Sequence, residues 1–318
     1  MSKSSRTGVV LAFLCLLLLG AMPVLSNARP AGSSGLDFAV WLTAWQLLAA
    51  LPPSFIERRR RGRRPSAHSG TKTGGRTAVI ALATGAMFGL ATYMYVVAAE
   101  KAGAISMVLA LQAYPLFAIL WETLFLGKRK SAAELLCTLV MIGALYYLTT
   151  AGTLLVSGIS WWSLFALGIP LLWSVAHILL KRVLETTPIT PSEVTVSRSA
   201  ISGVFLLVLA VAVEGGGPVF GAFTDLPFQR AAAVMGVAYC LELILWFHAM
   251  RHIDVSTAST ITVPAPAVTM LISVLVLGES VQVYQVVAMA VIAVGIYGLL
   301  IAGRRKAARA PAPSGSGG

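Results

Sequence analysis

"AAEKAGAISMVLALQAYPLFAILWETLFLGKRKS", residues 98–131, and "AMRHIDVSTASTITVPAPAVTMLISVLVLGESVQ", residues 249–282, align without a gap at a shift of 151 residues. The shift sets Pro115 on Pro266, Gly127 on Gly278, Ser106 on Thr257 and Lys128 on Glu279. Each copy is an apolar run with a central proline that ends at a glycine, turns tightly and enters another apolar run. Identities are few, so spacing and context carry the repeat. What the repeat builds depends on the medium that these runs occupy.

Composition decides the medium. The 318-residue chain is 57% hydrophobic and only 11% Asp, Glu, Lys or Arg, against roughly 25% charged residues in soluble domains. Its mean hydropathy is +0.83. Apolar stretches near ~20 residues recur along the whole length, each long enough to cross a ~30 Å hydrocarbon core as a helix. Ten spans are read at 8–26, 37–56, 77–99, 103–126, 131–150, 161–180, 194–213, 231–250, 255–277 and 282–302. They lack strand-like alternation, and a helix satisfies its own backbone in lipid. The expectation is an all-α integral membrane protein. The first span, with Lys3 and Arg6 before it and "VLSNA" at its end, also fits a secretory signal peptide.

The net charge of +12 invites a nucleic-acid reading, but basic residues gather where spans meet the cytoplasm. With the N-terminus inside, 20 Lys and Arg fall on the cytoplasmic side, eight of them in loop 57–76. Only Arg29, Lys101 and Arg230 fall outside, and Arg198 lies within a span. Both termini are therefore expected in the cytoplasm of a bacterial cell, with no nucleic-acid partner. Cys15, Cys137 and Cys240 all lie in apolar runs without a CxxC or His/Cys cluster, so no metal and no cofactor is expected.

Five spans per half is an odd number, so the two halves must cross the membrane in opposite senses. Lys128-Arg129-Lys130 falls inside while its counterpart Glu279-Ser280-Val281 falls outside. Inverted-topology repeats recur in secondary transporters, with the solute held near the midplane between halves. The repeat unit resembles that of the EamA-type drug/metabolite transporter superfamily: a small-residue-rich helix with a central Pro, a Gly turn, then a helix with a late Gly. The second copy keeps the "LGE" turn, whereas the first reads "LGKRK", and the second span reads "TAWQLL" where members often carry Arg. The resemblance spans roughly residues 8–303 and implies a ten-helix inverted-repeat fold exporting small metabolites, amino acids or toxic compounds. The expected organisation is an N-terminal segment 1–7, a first repeat 8–150, a loop 151–160, a second repeat 161–303 and a disordered Pro/Gly/Ser tail 304–318.

No nucleophile elbow, Walker loop or HExxH motif is present, so enzymatic chemistry and direct ATP use are not expected. Pro115, Pro264 and Pro266 are expected to kink spans four and nine beside a cavity. Gln112, Tyr114, Ser259, Thr260, Thr262 and Thr269 offer uncharged hydrogen-bonding groups near those prolines. Trp173, His177 and Lys181 share a helix face at i, i+4 and i+8, giving an aromatic surface and a titratable ring. Glu242 is the one formal charge between Ala231 and Phe247. It lies roughly 18 Å from Arg230 and 13.5 Å from Arg251 along its helix, with Tyr239 and Trp246 on its face. A charge at that depth is costly and usually faces the interior, so Glu242 is the candidate for proton or cationic-solute coupling. The competing reading pairs it with His177 or Arg198 from a neighbouring helix. Arg198 is expected to snorkel to the interface, and Glu122 to pair with the Lys128–Lys130 cluster. The expected partners are a small-molecule substrate, the lipid bilayer, protons and a second copy of the chain as a homodimer. An uncoupled facilitator or importer, or a non-transporting scaffold, would share the same spans.

Overall fold

The computed structural model describes residues 3–61, 75–126, 130–186, 191–253 and 261–309. The basic loop, the Lys128-Arg129 turn, Ser259 and Thr260, and the end of the tail lie outside the described residues, as do the side chains of Glu122 and Lys181. The helices are α1 (Lys3–Asn27), α2 (Gly35–Arg61), α3 (Gly75–Lys101), α4 (Ala104–Leu111), α5 (Tyr114–Leu126), α6 (Ala132–Thr149), α7 (Trp161–Thr186), α8 (Pro191–Glu214), α9 (Gly216–Gly221), α10 (Leu226–His252), α11 (Ala265–Ile272) and α12 (Val283–Arg309). Among the described residues nine helical segments are long and apolar enough to span a membrane, and Ala265–Leu277 is a shorter apolar one. Large apolar side chains such as Leu82, Leu136, Leu139, Val204, Val208 and Leu275 are exposed on the outer faces. In a bilayer these faces meet acyl chains and carry no hydrophobic penalty.

The two prolines of the repeat do more than kink. The fourth span is two helices, α4 and α5, separated at Gln112 and Ala113, and Pro115 is the second residue of α5. In the second half Pro264 caps α11 and Pro266 lies in its first turn. The shift of 151 carries Tyr114, where α5 starts, onto Ala265, where α11 starts. A proline in a first turn sacrifices no helical hydrogen bond, so both spans restart at the proline instead of bending through it. The ninth span then ends in a π-helical turn, Ser273–Leu277, closed by Gly278 at φ 65°.

The helix starts repeat as well. Ser131 and Glu134 form a reciprocal capping box at the start of α6. Their equivalents before α12, Gln282 and Gln285, keep half of it: the Gln282 N–H donates to Gln285 Oε1 at 2.9 Å. Gln285 Nε2 donates onward to Ser106 Oγ at 3.0 Å, tying α12 to α4.

Packing follows the same exchange of halves. Helix α1 packs on α10 as α7 packs on α3, and α2 on α10 as α8 on α3. Helix α1 packs on α11 as α7 packs on α4 and α5, while α2 with α8 and α6 with α12 are their own counterparts. Small residues permit the close crossings. Gly236 of α10 sits against the Leu42 carbonyl and Trp45 of α2. Gly85, its equivalent at the 151 shift, sits on Ile201 of α8, and Ser202 Oγ donates to the Gly85 carbonyl at 2.7 Å. Two apolar clusters result. One joins α2, α3, α8 and α10 through Phe38, Leu42, Val96, Leu206 and Met235. The other joins α4, α6 and α12 through Leu109, Met141, Leu148 and Ile292.

Gly236→Ala should destabilise the protein by about 1–3 kcal/mol, the usual cost of overpacking, because its methyl would meet the backbone of α2. Gly143→Ala, with nothing within 4 Å, should be neutral or slightly stabilising. Thermal unfolding of the purified protein in detergent measures both, and equal melting temperatures would contradict the close crossing.

Candidate functional site

Between the two halves the helices bring together side chains that an apolar bundle does not need. Tyr114 opens α5 immediately after the break, and its hydroxyl meets His177 Nδ1 of α7 at 3.2 Å. Trp121 Nε1, two turns further along α5, donates to Ser174 Oγ of α7 at 2.8 Å. The His177 ring is also 5.3 Å from Phe88 of α3. His177 is nonetheless exposed to a water-sized sphere, so open space adjoins it between α3, α5 and α7.

Arg198 of α8 continues the constellation. Its guanidinium carbon lies 4.5 Å from the Phe88 ring centroid and 5.6 Å from that of Tyr239 on α10. The side chain is buried, with 9% of its surface exposed. The expectation that Arg198 snorkels is therefore overturned: two aromatic faces hold the cation inside the bundle, an arrangement that cation–π attraction favours more strongly as water is excluded. Phe88 and Tyr239 are equivalents at the 151 shift, so each half contributes the same ring position.

Glu242 lies one turn beyond Tyr239 and is buried, 7% exposed. Its Oε1 accepts a weak hydrogen bond from Cys15 Sγ of α1 at 3.5 Å. No basic side chain among the described residues forms an ion pair with it, but Arg198 is within electrostatic reach. His177 and the Tyr239 hydroxyl feel the same guanidinium. Tyr95 of α3 stacks on Trp173 of α7 with ring centroids 6.4 Å apart. The Trp173 indole N–H is buried without an acceptor.

Of the residues singled out from sequence, Tyr114, Trp173, His177, Tyr239 and Glu242 converge. Gln112 stands at the break itself, where its N–H donates to the Leu109 carbonyl at 3.1 Å. Thr262 lies just before the equivalent break in the second half. Trp246 packs toward Ala12, Leu11 and Ile253, farther along α10. Thr269 is a packing residue, donating to the Gly20 carbonyl at 2.7 Å. Sequence reasoning missed Phe88, Tyr95, Cys15 and the placement of Arg198. The repeat held a signal for two of them, since the 151 shift carries Phe88 onto Tyr239 and Tyr95 onto Trp246.

Comparison with known proteins agrees with the architecture. A solved crystal structure superposes with a TM-score of 0.58 at 16% identity, covering 95% of this chain and 99% of that chain. That likeness is one of fold. No curated protein matches the chain. The model of the EamA-like transporter family matches twice, over residues 6–150 and 160–301. With nearly the whole length covered by the two matches, the chain belongs to the EamA-like transporter family and is a multi-pass membrane transporter of small solutes.

Proposed function

We propose that this chain is a secondary transporter that exports a small metabolite, amino acid or drug-like solute, loaded where α3, α5, α7, α8 and α10 converge. The observation that carries this reading is Arg198, a buried cation held between equivalent rings of the two halves, whose charge reaches the His177 that Tyr114 meets at the helix break. An intramembrane charge without a structural ion pair marks a solute or ion pathway. Discontinuous helices at that depth are the usual construction of a carrier site. The units 8–150 and 161–303 would move against each other about this point. Glu242 is the group that takes up and releases protons, and without a nucleotide loop in the chain an ion gradient or the solute's own gradient supplies the driving force. A facilitator or importer would use the same residues.

A wet path to the centre has a direct consequence. In a chain with Cys15, Cys137 and Cys240 replaced by Ala, His177→Cys should react with a charged, water-borne methanethiosulfonate reagent. Ala176→Cys, fully buried one residue earlier, should react at least about tenfold more slowly. Equal protection of both positions would argue against an aqueous route.

The coupling role of Glu242 is tested in proteoliposomes. Glu242→Gln keeps the shape and removes the titratable charge, so transport should fall and its pH profile should flatten. Full activity with an unchanged profile would remove Glu242 from the mechanism.

Orientation rests on the 20-to-3 asymmetry of Lys and Arg, which places both termini on the cytoplasmic side of a bacterial membrane. An impermeant thiol reagent applied to intact cells should label a cysteine engineered at Gly217, on α9, and spare one at Ser66. Labelling of Ser66 alone would invert the assignment.

A further inference from the structure

We infer that Arg198 is the receptor for a carboxylate, so that the solute is an organic monoanion with an apolar or aromatic body, and that one proton joins Glu242 when that anion binds. The inference rests on the transport reading for its location and goes beyond it in naming the ligand's chemistry.

The argument begins with the faces of the guanidinium. Phe88 and Tyr239 take up positions over Arg198 at 4.5 Å and 5.6 Å. The Tyr239 hydroxyl engages the guanidinium, and the remaining N–H donors lie in the guanidinium plane, where a carboxylate can accept two in parallel. No carboxylate among the described residues lies at ion-pair distance from Arg198. A buried cation so placed retains an unmet demand for an anion. One guanidinium neutralises one negative charge, which favours a carboxylate over a doubly charged phosphate.

Two further observations describe the rest of the ligand. The Trp173 indole N–H is a second buried donor without an acceptor, suited to a carbonyl or carboxylate oxygen. The walls are aromatic: Trp173 stacked on Tyr95, Phe88 tilted against His177, Tyr114 edge-on to it, and Tyr239. Such surfaces receive a flat apolar body. The groups around the centre are thus a cation, an orphaned donor and rings, which together describe an amphipathic acid.

The proton follows from charge balance. The titratable and charged groups facing Glu242 are Cys15 from α1, Tyr95 from α3, Arg198 from α8 and Tyr239 on its own helix. His177 from α7 faces the same guanidinium. In the empty site the carboxylate of Glu242 is the counter-charge within electrostatic reach of Arg198. A bound solute carboxylate takes over that role and repels the Glu242 carboxylate across a medium of low dielectric. Glu242 then takes a proton from the aqueous side, and the net charge of the site is the same loaded and empty. The solute crosses as the equivalent of its undissociated acid, so export by this cycle runs down the solute's own gradient.

The test uses the purified full-length chain and three probes of one shape: phenylacetate, phenylacetamide and phenethylamine. Calorimetric titration should show phenylacetate binding about tenfold or more tightly than the other two, as for a charge-assisted pair. Repeating it in buffers of different ionisation enthalpy should show close to one proton taken up per anion. Glu242→Gln should keep the preference for the anion and lose the proton uptake. Arg198→Lys, with its fold checked by thermal unfolding, should weaken phenylacetate selectively. Equal affinity for the amide, tighter binding of the amine, no binding of any probe, or proton uptake surviving in Glu242→Gln would each overturn the inference. Flux in proteoliposomes separates it from the transport reading. Anion-selective binding without flux would sink transport and leave the receptor. Flux of amide or amine untouched by Arg198→Lys would do the reverse.

Discussion

A hydrocarbon core offers no hydrogen bond to a peptide group, and the structure follows from that constraint. Every long segment must be helical, because a helix satisfies its own backbone. A helix that breaks at membrane depth frees carbonyls and N–H groups that lipid cannot serve, so the break must turn inward. Both breaks fall at equivalent prolines, Pro115 and Pro266. Beside the first, Tyr114 projects to His177. Polar groups gather here because this is the place in the bundle where backbone and side chains already have to be served by something other than lipid.

The exchange of halves separates what packing requires from what chemistry requires. Gly85 and Gly236 are both glycine, since each lets a neighbouring helix approach closely, the Ile201 side chain of α8 at Gly85 and the α2 backbone at Gly236. One turn further on, Phe88 and Tyr239 keep the aromatic ring and differ only by a hydroxyl. The next equivalent pair is Ala91 and Glu242, where the halves diverge completely. Ala91 is fully buried in the apolar cluster, whereas Glu242 meets Cys15 and lies in reach of Arg198. Symmetry is retained where two helices cross closely and abandoned where a charge is placed.

The spans, the repeat and the inward acid were legible because each leaves a local trace: a run of apolar residues, a fixed shift, one charge in an apolar stretch. Those traces also located Tyr114, Trp173, His177, Tyr239 and Glu242. Arg198 was misread because snorkelling is the cheapest fate for an arginine about one turn into a span. Only the packing of α8 on α3, with α10 brought near through α2, puts Phe88 and Tyr239 over it, and that packing is a tertiary fact. The breaks were legible as prolines but not as interruptions. Whether a proline kinks a helix or starts one depends on whether the preceding turn can stop, which Gln112 and Ala113 do by handing their N–H groups to Leu109 and Ala110.

Helix geometry and inversion together fix the shape of the space around Arg198. Phe88 and Tyr239 mark its level in the two halves, and Tyr95 and Trp246 each lie seven residues further along their helices, about 10 Å at the rise of an α-helix. Helices α3 and α10 run in opposite directions, so those two displacements point to opposite sides of the membrane. Tyr95 closes one side by stacking on Trp173. Trp246 closes the other by packing with Leu11 and Ala12 of α1. The buried cation is therefore bracketed by two equivalent aromatic layers, each made by one half against its own first helix's counterpart in the other. In the transport cycle we propose, rearranging one layer while the other stays packed opens the centre to one side at a time, which is what alternating access demands of equivalent halves.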